Sequence, residues 1–112
     1  MNILLDTHTL LWLASKPSTL DKTALEILSD PENSVSVTAA SAWEISIKTR
    51  LGRLDGEALL SVWTDMIAAM SITELPIDSA DAILAGRLPW DHRDPFDRVI
   101  VAQAMRRNLT IA

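Results

Sequence analysis

Apolar residues along the chain form two kinds of run. Ile3-Leu4-Leu5 is short and unbroken, the signature of a strand buried on both faces, and it leads directly into Asp6. Residues 10–14 predict a helix of about three turns, which Lys16-Pro17-Ser18 ends because the residue before a proline is pushed out of helical conformation. Leu20, Ala24, Leu25, Ile27 and Leu28 predict a second amphipathic helix, stopped near Asp30-Pro31. After a turn at Asn33-Ser34, residues 34–37 place β-branched side chains at alternate positions, as a strand does. Residues 38–48 are helical in pattern, with Trp43, Ile47 and Leu51 on one face and Gly52 set just past the end. Leu59, Leu60, Trp63, Met66, Ile67 and Met70 predict one long helix over 54–70, its Trp and Met read as core.

Residues 72–75 read as a short strand closed by Pro76. Asp78 then caps a helix that carries Asp81 in its first turn and ends near Gly86. A polar, proline-containing loop follows over 88–93. Asp94-Pro95-Phe96-Asp97 opens the last helix with a cap, a proline at the first helical position and a first-turn acid, and Val99, Ala102, Gln103, Met105 and Arg106 continue it. Residues 109–112 form a final strand. The order is βααβααβααβ, which predicts a single α/β domain over 1–112, three layers deep (α/β/α), around a small parallel sheet. An interior-type strand at the last residues raises the expectation that the C-terminal part of the native domain is missing from this sequence.

Composition narrows the class. Apolar residues make up 48% of the 112, enough for one sizeable core. With no cysteine there is neither a disulfide framework nor a thiolate metal site, and a reducing, cytoplasmic location fits. No apolar run approaches the ~20 residues needed to span a membrane, and no basic segment precedes the first apolar run as in a signal peptide. The net charge of −5 makes non-specific nucleic-acid binding unfavourable. The acid is either gathered at a cation site or turned toward a basic partner, and composition does not choose.

The carboxylates each have a local explanation. Asp6 can cap the first helix. Glu44 stands at capping-box spacing from Ser41 and four residues before Lys48, and Asp97 is a first-turn acid behind Asp94. Yet Asp6 and Glu44 both follow a strand, so a parallel sheet brings them to one edge, the carboxyl edge, where α/β folds bind ligands. Asp97 joins them if the loop before its helix returns to that edge. Carboxylates gathered together repel, and a divalent cation removes the cost. Oxygen donors without cysteine point to Mg²⁺ or Mn²⁺.

Three segments, Ile3-Leu4-Leu5-Asp6-Thr7-His8, Ser41-Ala42-Trp43-Glu44-Ile45-Ser46-Ile47-Lys48 and His92-Arg93-Asp94-Pro95-Phe96-Asp97-Arg98, resemble in order the successive motifs of the PIN-domain family, most closely VapC-type toxins of bacterial toxin–antitoxin pairs. The resemblance implies a metal-dependent endoribonuclease. Asp6 and Asp97 would hold the metal directly and Glu44 through water, with Asp94 a second-rank ligand. It also implies an RNA substrate, a cognate antitoxin and a homodimer, and a further acid beyond the last strand that this sequence does not reach. Lys48, Arg50, Arg53, Arg93 and Arg98 are the candidates for RNA contact. Two rival functions remain: a metal-free ribonuclease using His8 and His92, and a non-catalytic binding module of the same fold. Residues 51–70 are apolar enough to supply a partner interface.

Overall fold

In a computed structural model, which describes residues 1–112, the first apolar run forms strand β1 (Asn2–Leu4). Its side chains divide between two cores. Ile3 and Leu5 join Leu10, Val35, Val37, Ile45, Ile67 and Ile72 on one face of the sheet, while Leu4 meets Ile100 and Ala104 on the other. That double burial is why the run shows no polar alternation. Helices α1 (Thr7–Ser15) and α2 (Lys22–Ser29) flank a 3₁₀ turn at Pro17–Thr19 and lead to β2 (Ser34–Thr38) and α3 (Ala39–Arg50). After α4 (Glu57–Ser61) and α5 (Trp63–Ala69) come β3 (Thr73–Leu75), α6 (Ser79–Arg87), α7 (Pro95–Arg107) and β4 (Thr110–Ile111).

The sheet is wholly parallel, in the order β3-β2-β1-β4. The chain builds outward from β1 to β2 and β3, then crosses over to place β4 on the other side of β1. The direction of winding therefore switches between β1 and β4, and the carboxyl ends of those strands border the crevice where such sheets bind ligands. β4, expected in the interior, pairs on one side only and leaves Ile111 exposed.

Three expectations need correction. The long helix over 54–70 is two helices. Residues 54–56 are an irregular link, and Val62 breaks the rest at φ −123°, ψ 23°, where its N–H turns tightly onto Leu59 O and the Ser61 hydroxyl bonds Ala58 O. Second, the apolar stripe of α3 faces outward. Trp43 and Leu51 are exposed, and the buried side of the helix carries Ala40, Ser41, Glu44 and Ile45. Third, Ser41 and Glu44 are not a capping box. The cap is Thr38, whose hydroxyl accepts from Ala40 N, so both residues lie inside the helix. At its other end α3 stops as the sequence predicts. Gly52 is left-handed, at φ +74°, and Gly52 N and Arg53 N return to Thr49 O and Lys48 O.

Gly56 closes the link after α3 at very short range. A Cβ there would lie 2.6 Å from Thr49 Oγ1 and 2.7 Å from Ile45 Cγ2, one of them a core side chain. Gly56→Ala is therefore expected to destabilise the domain by roughly 1–3 kcal/mol, read from thermal or urea unfolding.

α6 and α7 pack antiparallel, fixed by charge. Asp81 on α6 is wholly buried and accepts from Arg106 (2.5 Å), Arg107 (2.7 and 3.1 Å), Gln103 Nε2 (3.0 Å) and the backbone N–H of Asp78 (3.2 Å). Burial alone pushes this carboxyl up. The hydrogen bonds from Arg107, Gln103 and Arg106 outweigh it and hold Asp81 well below the usual carboxylate range.

Candidate active site at the carboxyl edge of the sheet

Asp6 leaves β1 at the switch point. Its backbone N–H donates to Ala112 O at the end of β4, and Ala112 N donates back to Leu4 O. One carboxylate oxygen, Oδ1, caps α1 by accepting from Thr9 N at 2.8 Å. The cap reading of Asp6 is thus correct. It occupies only one oxygen, and Oδ2 has no protein partner.

Glu44 is 4% exposed and reaches the same edge from α3. Thr7 Oγ1 donates to its Oε1 at 2.6 Å, and Lys48 Nζ donates to its Oε2 at 2.5 Å. Thr7 has one hydroxyl proton, engaged on Glu44, so the 2.9 Å contact between Thr7 and Ser41 has Ser41 as donor. Ser41, Thr7, Glu44 and Lys48 form a hydrogen-bonded relay that gives both oxygens of a buried carboxyl group a partner and fixes its rotamer. Neither hydroxyl was among the expected site residues. Their only sequence signal is position, beside Asp6 and one helical turn before Glu44.

Asp97 sits in the first turn of α7. That helix enters β4 through two residues and runs down the sheet, so its N-terminus lies at the carboxyl edge. An edge-to-face contact between Trp43 of α3 and Phe96 of α7, with centroids 5.0 Å apart, ties the two helix starts together. The loop before α7 does return to the edge, as the shared-site reading requires. Asp97 Oδ2 pairs with His92 Nε2 at 2.6 Å, leaving Oδ1 without a protein partner. Asp94 Oδ1 caps the helix, accepting from Phe96 N and Asp97 N. Potential ligand atoms of His92, Asp94 and Asp97 lie within 4.8 Å of one another, a group that includes neither Asp6 nor Glu44. The structure therefore gives two clusters on one edge. Thr7, Ser41, Glu44 and Lys48 form the first, with Asp6 preceding Thr7 in the chain, and His92, Asp94 and Asp97 the second.

The basic residues divide sharply. Arg98 is not available to a ligand. Its five N–H groups go to the carbonyls of Ala85, Trp90, His92, Gly86 and Leu88, so the guanidinium holds the loop over 88–93 onto α7. Lys48 is bound to Glu44. Arg50, Arg53 and Arg93 are exposed and form no ion pair. His8 lies 6.0 Å from Trp12 on α1, whereas His92 is held by Asp97 and Trp90, so the two imidazoles have separate partners.

The family model for the PIN domain matches residues 3–112. The chain belongs to the PIN-domain family. Among solved structures, this PIN domain is similar to a chain of VapBC2 from Rickettsia felis, determined bound to a DNA fragment from their promoter. The TM-score is 0.69 at 14% identity, over 99% of this chain and 86% of that one. At that identity the likeness shows a common fold. No curated protein matches the sequence. No helix of this PIN domain is long and apolar enough to cross a membrane.

Proposed function

We propose that this PIN domain is a metal-dependent endoribonuclease, a VapC-type toxin held inactive by a cognate antitoxin. The observation that carries the reading is the pair of half-engaged carboxylates on one edge. Asp6 uses one oxygen to cap α1 and Asp97 uses one to pair with His92, and each keeps the other free. The donor set fits Mg²⁺ or Mn²⁺, being oxygen throughout with an imidazole beside it and no thiolate. When bound there, a divalent ion would supply a water of lowered pKa and a positive charge against a transferring phosphoryl group.

The protein's own residues supply the rest. Asp6 and Asp97 would hold the ion through their free oxygens. Glu44 has both oxygens occupied by Thr7 and Lys48, so it acts at one remove, orienting water rather than binding the ion itself. Asp94 serves α7 as its cap and ranks behind both. Arg50 and Arg93 are the free cations for the RNA backbone, with Arg53 behind them. The outward-facing Trp43 and Leu51 on α3 and Val62 between α4 and α5 give a second subunit or an antitoxin an apolar surface.

Cleavage of single-stranded RNA by the purified protein is expected in Mn²⁺ or Mg²⁺ and absent in EDTA, followed by gel. Cleavage that persists undiminished in EDTA would transfer the chemistry to the histidines.

A further inference from the structure

Trp90 is 42% exposed on the loop before α7, with its indole stacked on the His92 imidazole at 4.6 Å and 28°. His92 in turn holds Asp97 at 2.6 Å. A large aromatic surface therefore stands one side chain away from a proposed metal-holding carboxylate. Exposed tryptophans on loops are ordinarily mobile. Here the backbone that carries the indole is held, because Arg98 bonds the carbonyls of Leu88, Trp90 and His92 and Trp90 N donates to Leu88 O, while the ring itself rests on His92. The same loop presents Arg93, exposed and free of any ion pair. Aromatic surface on a held loop that also carries an unpaired guanidinium is a combination that suits single-stranded nucleic acid. A base stacks on the ring, the cation meets a neighbouring phosphate, and holding the loop backbone beforehand lowers the entropic cost of ordering it.

We infer that Trp90 is a stacking platform for an unpaired base next to the scissile phosphate, with Arg93 as its phosphate contact. The platform accordingly takes a splayed base and not one stacked within a continuous duplex. The inference rests on the nuclease reading of this edge and adds a specificity-determining residue to it. Base stacking tolerates any base, so the platform selects for an unstacked nucleotide more than for sequence.

The test compares a short, labelled, single-stranded oligoadenylate with an abasic ribose-phosphate chain of the same length. Affinity is measured by fluorescence anisotropy in EDTA, and cleavage separately in Mn²⁺. The wild type is expected to bind the oligoadenylate about tenfold more tightly than the abasic chain. Trp90→Leu should bring the two to parity through loss on the oligoadenylate alone, and Trp90→Phe should restore most of the preference. A purely structural indole would weaken both ligands equally, which overturns the inference. So does a base preference that survives in Trp90→Leu, or a wild type that binds neither ligand or both alike. Loss of self-association on size exclusion in Trp90→Leu, with base preference intact, makes the indole a protein contact and overturns it too. Trp90-dependent preference without cleavage in Mn²⁺ sinks the nuclease reading and leaves the platform. Cleavage without base preference does the reverse.

Discussion

Asp97→Asn is expected to lower RNA cleavage by a factor of about 100 or more while leaving the fold almost untouched. The two effects separate because the side chain is 46% exposed and its only protein partner is His92, itself 42% exposed. Exposed pairs of this kind contribute roughly 0–1 kcal/mol. Electrostatic groups aimed at developing charge in a reaction are worth more, with losses of about 10²–10³ in kcat when one is removed. Neutralising Asp97 also weakens the site's hold on its cation. A melting curve and a cleavage time course on the same preparation check both halves of the expectation.

Asp81→Ala should give the opposite result, with a large loss of stability and an intact edge. The carboxylate is fully buried between α6 and α7, and its removal leaves Gln103 Nε2 with only Pro76 O and parts Arg106 and Arg107 from their common acceptor. Breaking a buried ionic network from one side costs roughly 3–5 kcal/mol. Because Arg106 and Arg107 reach partly to solvent, the lower end of that range is expected. The pH dependence has a definite sign. Folding depresses this carboxyl below its ordinary 3.8, so its contribution is fully present above that value and is lost as pH falls toward the folded value. Urea unfolding of the wild type should weaken below about pH 4, and Asp81→Asn should remove this group's share of that slope.

Much of this arrangement can be read from local pattern, and what cannot has physical reasons. Ile3-Leu4-Leu5 announces a doubly buried strand because both faces of the sheet are covered, and Asp94-Pro95 marks the start of α7 because cap and ring conformation are local. The break at Val62 is hidden, since apolar spacing continues across it. The outward turn of α3 is hidden as well. Trp43, Ile47 and Leu51 look like a core face, but Glu44 and Ser41 bury instead because Thr7, thirty-four or more positions earlier, receives them. The partners of Arg98 and Asp81 are hidden for the same reason. Asp81 is the first-turn acid that the spacing predicts, but the arginines and glutamine that hold it, like the carbonyls that hold Arg98, come from another helix or a loop that only folding brings near. Asp6 shows the limit of choosing between local and shared roles, for it caps with one oxygen and leaves the other without a protein partner.

The central claim is that Asp6 and Asp97, from separate clusters, hold one divalent ion. The melting temperature with and without Mn²⁺ tests it directly, since an ion that binds only the folded protein stabilises it by RT ln(1 + [L]/Kd). Wild type should show a clear rise that EDTA reverses. Asp6→Asn keeps its cap, because asparagine caps about as well as aspartate, and should lose most of the rise. Asp97→Asn should lose it equally, while Asp94→Asn, whose carboxylate serves the helix, should retain it. If Asp6→Asn leaves the rise intact and Asp94→Asn removes it, the ion belongs to the His92, Asp94 and Asp97 cluster alone and the shared site is wrong.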